Sequence, residues 1–180
     1  MGGRKTPADG IDEIVEAWRR ERPELDPSSI GIVSRIWYLA KLFGEDRREV
    51  LAASGIDPAI LDLLSVLQRS GEPYRLSTRE IAARSLVTAG AISQRLRRAE
   101  GSGLVRREVA DDGSRTVFVT LTERGRETVG VYVSVVLRRE EELLSGLEPA
   151  ERATLEELLR KLLGGVVSQV DAGARTQVGT

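Results

Sequence analysis

Apolar residues recur along this chain at helical spacing, then at strand spacing, then at helical spacing again. Ile11, Ile14, Val15 and Trp18 follow the i, i+3, i+4, i+7 pattern of one helical face, and Pro23 and Pro27 close that short helix. A longer helical region runs from Ser28 through "IGIVSRIWYLAKLF" to Ala53, with Gly55 as its stop. Asp57-Pro58 opens the next helix, with the aspartate as N-cap and proline at the first helical position. Ile56 and Leu61 supply its hydrophobic staple, and Ile60, Leu63, Leu64 and Leu67 share its apolar face.

Ser77-Thr78-Arg79-Glu80 is a capping box, and Leu76 staples onto Ile81. The helix it starts ends near Ser85. Thr88 caps the following helix, which ends at Gly101. Two short helices joined by about three residues form a helix-turn-helix pattern. The period then changes to two. "LVRREV" and "TVFVTL" read as strands, joined by the turn-rich "ADDGSR". A long helix begins at Thr122 and runs to about Leu144, and a last one begins at Glu148-Pro149 with Leu155, Leu158, Leu159 and Leu162.

This order predicts a mainly α fold with a small β-hairpin: a winged helix-turn-helix flanked by helical dimerisation arms. Residues 11–56 form N-terminal helices, 57–121 the winged-helix lobe and 122–163 the C-terminal helices. Residues 1–10 and the tail 164–180 lack strong periodicity and are expected to be disordered. The arms carry apolar stripes that one core does not easily cover, so a homodimer is expected.

Composition narrows the chemistry. The chain has 180 residues, 41% of them hydrophobic, and contains neither cysteine nor histidine. Disulfides, thiolate or imidazole metal sites and serine-histidine catalysis are therefore excluded. No carboxylate or phosphate-loop motif replaces them, so an enzyme is not expected, nor a cofactor or metal. No run of about 18 apolar residues and no apolar leader appear, which points to a cytoplasmic protein without a membrane partner.

The net charge of -1 hides an asymmetry. From Arg69 to Arg107 there are nine arginines against Glu72, Glu80 and Glu100. That local surplus points to a polyanionic partner, double-stranded DNA. At about 100° per residue, Ala89, Leu96 and Ala99 fall beside Ile92, and that side faces inward. Gly90, Ser93, Gln94 and Arg97 cluster opposite, with Arg98 next to them. This face suits the major groove: Ser93 and Gln94 meet base edges, and Arg97 meets guanine or phosphate. Thr88 and the amides at the helix start suit a phosphate. Arg115, at the end of the wing loop, suits the minor groove, although Asp111 and Asp112 repel phosphate unless one of them fixes the arginine.

Arg95 and Arg107 differ from these. Arg95 lies at the edge of the inward face. Strand alternation groups Arg107 with Val105 and Val109, which are expected to face the core. Both arginines need anionic partners, either a bound anion or nearby glutamates, unless they snorkel to the surface.

The run "STREIAARSLVTAGAISQRLRRAEGSGLVRREVADDGSRTVFVTLTERG" resembles the MarR family of winged-helix transcription regulators over roughly residues 30–163. "GLV", a wing with acidic residues and arginine, and "LTERG" carry the resemblance. Gly113 stands where the family has aspartate, and Ala99 where it has leucine. "WRRERPELD" and "RSGEPYRLS" are similar to the urate-responsive branch of the family. That narrower resemblance implies a repressor of a pseudo-palindromic operator that loses DNA affinity when urate or a related anion binds. It also implies a ligand site made by Trp18, Asp62, Arg95 and Arg107. Trp18 offers a stacking face and arginine a fork of donors for such a ligand. In that scheme the bound anion repels Asp62 towards an arginine of the DNA-reading helix. Trp18 as a core or dimer anchor and Asp62 as a solvated charge remain the alternative. A winged helix serving only protein–protein contact is a further one, marked by weak salt dependence and no operator preference.

Overall fold

A computed structural model describes residues 7–85, 89–111 and 113–177. The order is α1 (Gly10–Glu21), α2 (Ser28–Ala53), α3 (Pro58–Gln68), β1 (Arg75–Ser77), α4 (Thr78–Arg84), α5 (Ala89–Gly101), β2 (Val105–Val109), β3 (Val117–Leu121), α6 (Glu123–Leu143) and α7 (Pro149–Gln177). The chain divides into two compact units, 1–132 and 133–180, with α6 beginning in the first and ending in the second.

The first unit holds a winged helix. Asp57 caps α3 through its side chain and Pro58 occupies the first turn, as the sequence requires. Ile60, Leu61, Leu63, Leu64, Val66 and Leu67 of α3 are all buried, so this helix is the centre of the core. The Ser77–Glu80 capping box fixes the start of α4, and Ile81 behind it is fully buried. Ile92, Leu96 and Ala99 of α5 join that core, as their helical spacing requires.

The sheet has three antiparallel strands in the order β1-β3-β2, not the two of a hairpin. The missed strand β1 pairs Arg75 with Thr120, Leu76 with Val119 and Ser77 with Phe118. It spans three residues, too short for a period of two to stand out. In β2, Val105 is buried, but Val109 is 65% exposed, contrary to expectation. Val109 pairs with Val117 where the wing leaves the body of the lobe.

The N-terminus is more structured than expected. Asp9 and Asp12 form a capping box on α1. Arg35 of α2 donates through Nη2 to Asp9 Oδ1 at 2.8 Å and to Asp12 Oδ1 at 2.7 Å, and through Nε to Asp9 Oδ2 at 3.0 Å. This fork ties α1 to α2, and the guanidinium holds both carboxyls below their ordinary range.

In the second unit, α7 continues to Gln177 instead of ending in a free tail at residue 164. Two glycines, Gly164 and Gly165, interrupt the pattern, but Val166, Val167 and Val170 resume it. Each glycine weakens a helix by roughly 1 kcal/mol relative to alanine without forcing it to stop. Among the described residues, no single helix is long and apolar enough to cross a membrane.

One junction sets how the helices meet the wing. Gly103 adopts φ 68°, a left-handed conformation that favours glycine, and turns the chain from α5 into β2. The Thr122 amide donates to the Leu104 carbonyl, and Thr122 Oγ1 donates to the Gly103 carbonyl at 2.8 Å. The Gly125 amide donates to that hydroxyl at 3.0 Å. A Cβ on Gly125 would lie 2.0 Å from the Leu104 carbonyl oxygen. Gly125→Ala should therefore destabilise the protein by about 2 kcal/mol or more, because backbone and not a flexible side chain must yield. Urea denaturation checks this; an unchanged midpoint would show that α6 shifts freely against the turn.

Candidate nucleic-acid interface and ligand site

The DNA-facing candidates are sorted by the burial of α5. With Ile92, Leu96 and Ala99 inward, Gly90, Ser93, Gln94, Arg97 and Arg98 lie on the exposed face. Thr88 lies outside the described residues, as does Asp112. Arg115 is exposed beside Ser114, whose hydroxyl accepts from the Thr116 amide. Among the described residues, no hydrogen bond or ion pair engages Arg97 or Arg115, so both guanidiniums remain available to an anion.

Arg98 is placed differently from Arg97. Its Nη1 forms an ion pair with Asp57 Oδ2, at the N-cap of α3. Burial pushes the Asp57 carboxyl upward, but bonds from the Ala59 amide and from Arg98 outweigh this and hold it low. Arg98 thus ties α5 to the central helix of the core.

Arg107 makes a second tie. Its Nε donates to Glu100 Oε2 at 2.7 Å, and its Nη2 donates to the same oxygen. Its cross-strand neighbour is the fully buried Val119, so the side chain starts from the inner side of the sheet and reaches the rim, where it meets Glu100. Both side chains are about one-third exposed, 35% and 36%. The Arg107 bonds lower the Glu100 carboxyl, and Glu100 raises Arg107 in return. Of the three fates open to this arginine from sequence, a bound anion, a glutamate or snorkelling, the glutamate is the one realised in the free chain. Arg106 points away and pairs with Glu108 at 2.8 Å.

Asp62 also has a partner that the sequence did not identify. Arg47 of α2 donates to Asp62 Oδ1 at 2.8 Å. The charge facing Asp62 is therefore on α2, and the scheme in which Asp62 moves towards an arginine of the DNA-reading helix finds no such contact. Trp18 stands 46% exposed on α1, and Arg95 is half-buried on α5. Among the described residues, no hydrogen bond or ion pair joins Trp18, Asp62, Arg95 and Arg107 to one another. Glu100 had one visible signal: it is an acidic residue in the last turn of a helix, where the macrodipole disfavours negative charge unless a cation answers it. Asp57 was read only as a cap, and Arg47 sits in a helix whose apolar pattern drew no attention to it.

A helix with a small, polar, arginine-bearing face, set beside an arginine-tipped wing, defines a winged helix-turn-helix protein of the DNA-binding class. A model of the MarR family matches residues 54–115. The regulator PecS of Dickeya dadantii is 26% identical over 152 residues, covering 84% of this chain and 92% of that protein. The regulator TtmR of Methylorubrum extorquens is 30% identical over 135 residues, covering 68% of this chain and 67% of that protein. The structure of wild-type MarR from E. coli superposes with a TM-score of 0.61 at 26% identity, covering 73% of this chain and 96% of that one. The chain belongs to the MarR family of transcriptional regulators, whose members bind DNA, form dimers and bind small-molecule ligands, and which are not enzymes.

The two ties on α5 make its stability pH-dependent in a defined direction. Glu100 is held below its ordinary value of 4.5, and Asp57 below 3.8. A depressed carboxylate contributes stability that is fully present above its ordinary value and is lost as pH falls through the folded value. Unfolding free energy should accordingly fall below about pH 4.5, and Glu100→Gln should flatten part of that fall. Denaturation series from pH 6 down to pH 3 check this; identical slopes would mean that Glu100 gains nothing from Arg107.

Proposed function

We propose that the protein is a dimeric repressor that binds a near-palindromic operator and leaves it when a small planar anion, urate or a close relative, is bound. The carrying observation is α5: one face buried by Ile92, Leu96 and Ala99, the other presenting Gly90, Ser93, Gln94 and Arg97 to solvent. Such a helix enters the major groove with hydrogen-bonding groups towards base edges, while Arg115 on the wing reaches the adjacent minor groove. Thr88 and Arg98 complete the set read from sequence, with Arg98 free to serve phosphate only when it leaves Asp57.

Dimerisation is supported by each unit taken alone. In the first, Trp37 is 72% and Ile32 60% exposed on α2; in the second, Leu158 and Leu163 of α7 are equally open. Large apolar side chains left open on a helix in this way are characteristic of a surface that another chain covers. The ligand reading rests on Trp18, Asp62, Arg95 and Arg107 and on the resemblance to the urate-responsive branch. An exposed indole and an arginine fork suit a flat anion.

Titration onto the chain's own upstream DNA tests the first half. Two chains should bind per site, and affinity should fall steeply with salt. Arg97→Ala should cost about 1–3 kcal/mol of binding if it reads guanine. Equal affinity for all sequences, or an Arg97→Ala variant that binds like the parent, would remove the assignment.

The second half is tested by repeating the titration with urate. Wild-type affinity should drop about tenfold, equivalent to about 1.4 kcal/mol of coupling. Trp18→Ala should retain ligand-free DNA affinity and lose most of that response. A wild type indifferent to urate would remove this ligand while leaving the DNA assignment standing.

A further inference from the structure

Glu100 lies outside both sets of residues assigned above, and its surroundings give it a specific task. It occupies the last turn of α5, where the helix macrodipole disfavours a carboxylate. A single carboxylate oxygen accepts from Nε and Nη2 of Arg107. The Gly103 turn brings the two residues together across seven positions, so the contact joins the DNA-reading helix to the first strand of the wing. In the same turn of α5, Arg98 grips Asp57. The end of this helix is therefore held by two ion pairs of opposite polarity, one to the core and one to the wing.

We infer that Glu100 is a positioning residue: it holds the DNA-reading helix in register with the wing through Arg107, and it occupies the donors that an anionic ligand needs. An anion on Arg107 and Glu100 on Arg107 use the same planar fork of N–H groups. The carboxylate is thus an internal competitor. Ligand binding releases it, and the end of α5 loses its tie to the wing. The competition half rests on the anionic-ligand reading above; the positioning half does not.

The experiment uses the full chain, its upstream DNA and urate at fixed salt. Ligand-free DNA affinity is measured for wild type, Glu100→Gln, Arg107→Gln, the double variant and Glu100→Asp, with folding checked by circular dichroism. Each single glutamine variant should weaken binding about two- to fivefold, the range open to a partly exposed pair. The double variant should be no weaker than the weaker single, because both remove one contact. Glu100→Asp should fall between wild type and Glu100→Gln. DNA-free Glu100→Gln should also bind urate about two- to fivefold more tightly than DNA-free wild type, a gain that weaker DNA binding alone would not give. Multiplying effects in the double variant, or wild-type DNA affinity in Glu100→Gln, would overturn the positioning role. An unchanged urate affinity in DNA-free Glu100→Gln, with a responsive wild type, would overturn the competition. If wild type ignores urate, the anion reading and the competition fall together, and the ligand-free cycle still decides the positioning role.

Discussion

The geometry of the lobe depends on an atom that is missing. Gly125 has no Cβ, and only for that reason does the first turn of α6 sit against the Leu104 carbonyl. That carbonyl accepts from the Thr122 amide, and the Thr122 hydroxyl donates to the neighbouring Gly103 carbonyl. Three elements meet within these few residues: the end of α5, the start of β2 and the start of α6. Well-packed backbone at such a point transmits displacement instead of absorbing it. A helix–turn–strand corner built this way keeps a fixed angle, so whatever moves α5 relative to the wing must act on the side chains that bridge them.

Those bridges explain how a chain with net charge -1 uses its local surplus of arginine. The nine arginines between residues 69 and 107 do not form one patch. Arg98 and Arg107 are paired with carboxylates of the lobe, Arg106 is answered by Glu108, and Arg75 stacks over the Phe118 ring at 4.0 Å. Arg97 is on the open face of α5 with no such partner among the described residues. Neutralised arginines fix the geometry of the lobe, and unneutralised ones supply its external charge. A count of charges along the sequence does not separate these two populations; the burial pattern of α5 and the register of β2 do.

The helices and their ends were legible because capping is local. Asp57-Pro58 and the Ser77–Glu80 box place α3 and α4 within a residue, and the apolar spacing of α5 assigns its two faces correctly. Features that depend on distant pairing were less visible. β1 exists only because Thr120, Val119 and Phe118 pair with it. Asp9 is fixed by Arg35, 26 positions away, and Asp62 by Arg47, 15 positions away. Such partners leave no periodic signal. The candidate ligand residues illustrate the same limit: Arg107 was legible as an arginine in need of an anion, whereas the identity of that anion in the free chain required the fold.

The weakness of the Glu100–Arg107 pair is consistent with a role in switching. Pairs exposed by about a third are worth little by themselves, roughly 1 kcal/mol or less. A fully buried pair would be a poorer choice, because breaking it leaves an uncompensated charge at a cost of about 3–5 kcal/mol. A ligand shifts an equilibrium only by its differential affinity for the two states, and a tenfold change needs about 1.4 kcal/mol, of which losing a pair worth roughly 1 kcal/mol or less supplies a part. Under the proposed mechanism, the tie on α5 must therefore be strong enough to set the helix and weak enough for one small anion to replace it. In that scheme DNA phosphate competes for Arg98, but the small anion does not, so the Arg98–Asp57 pair stands when the anion is bound and DNA has left. Under the proposed mechanism it keeps α5 attached to α3 while the wing side is released.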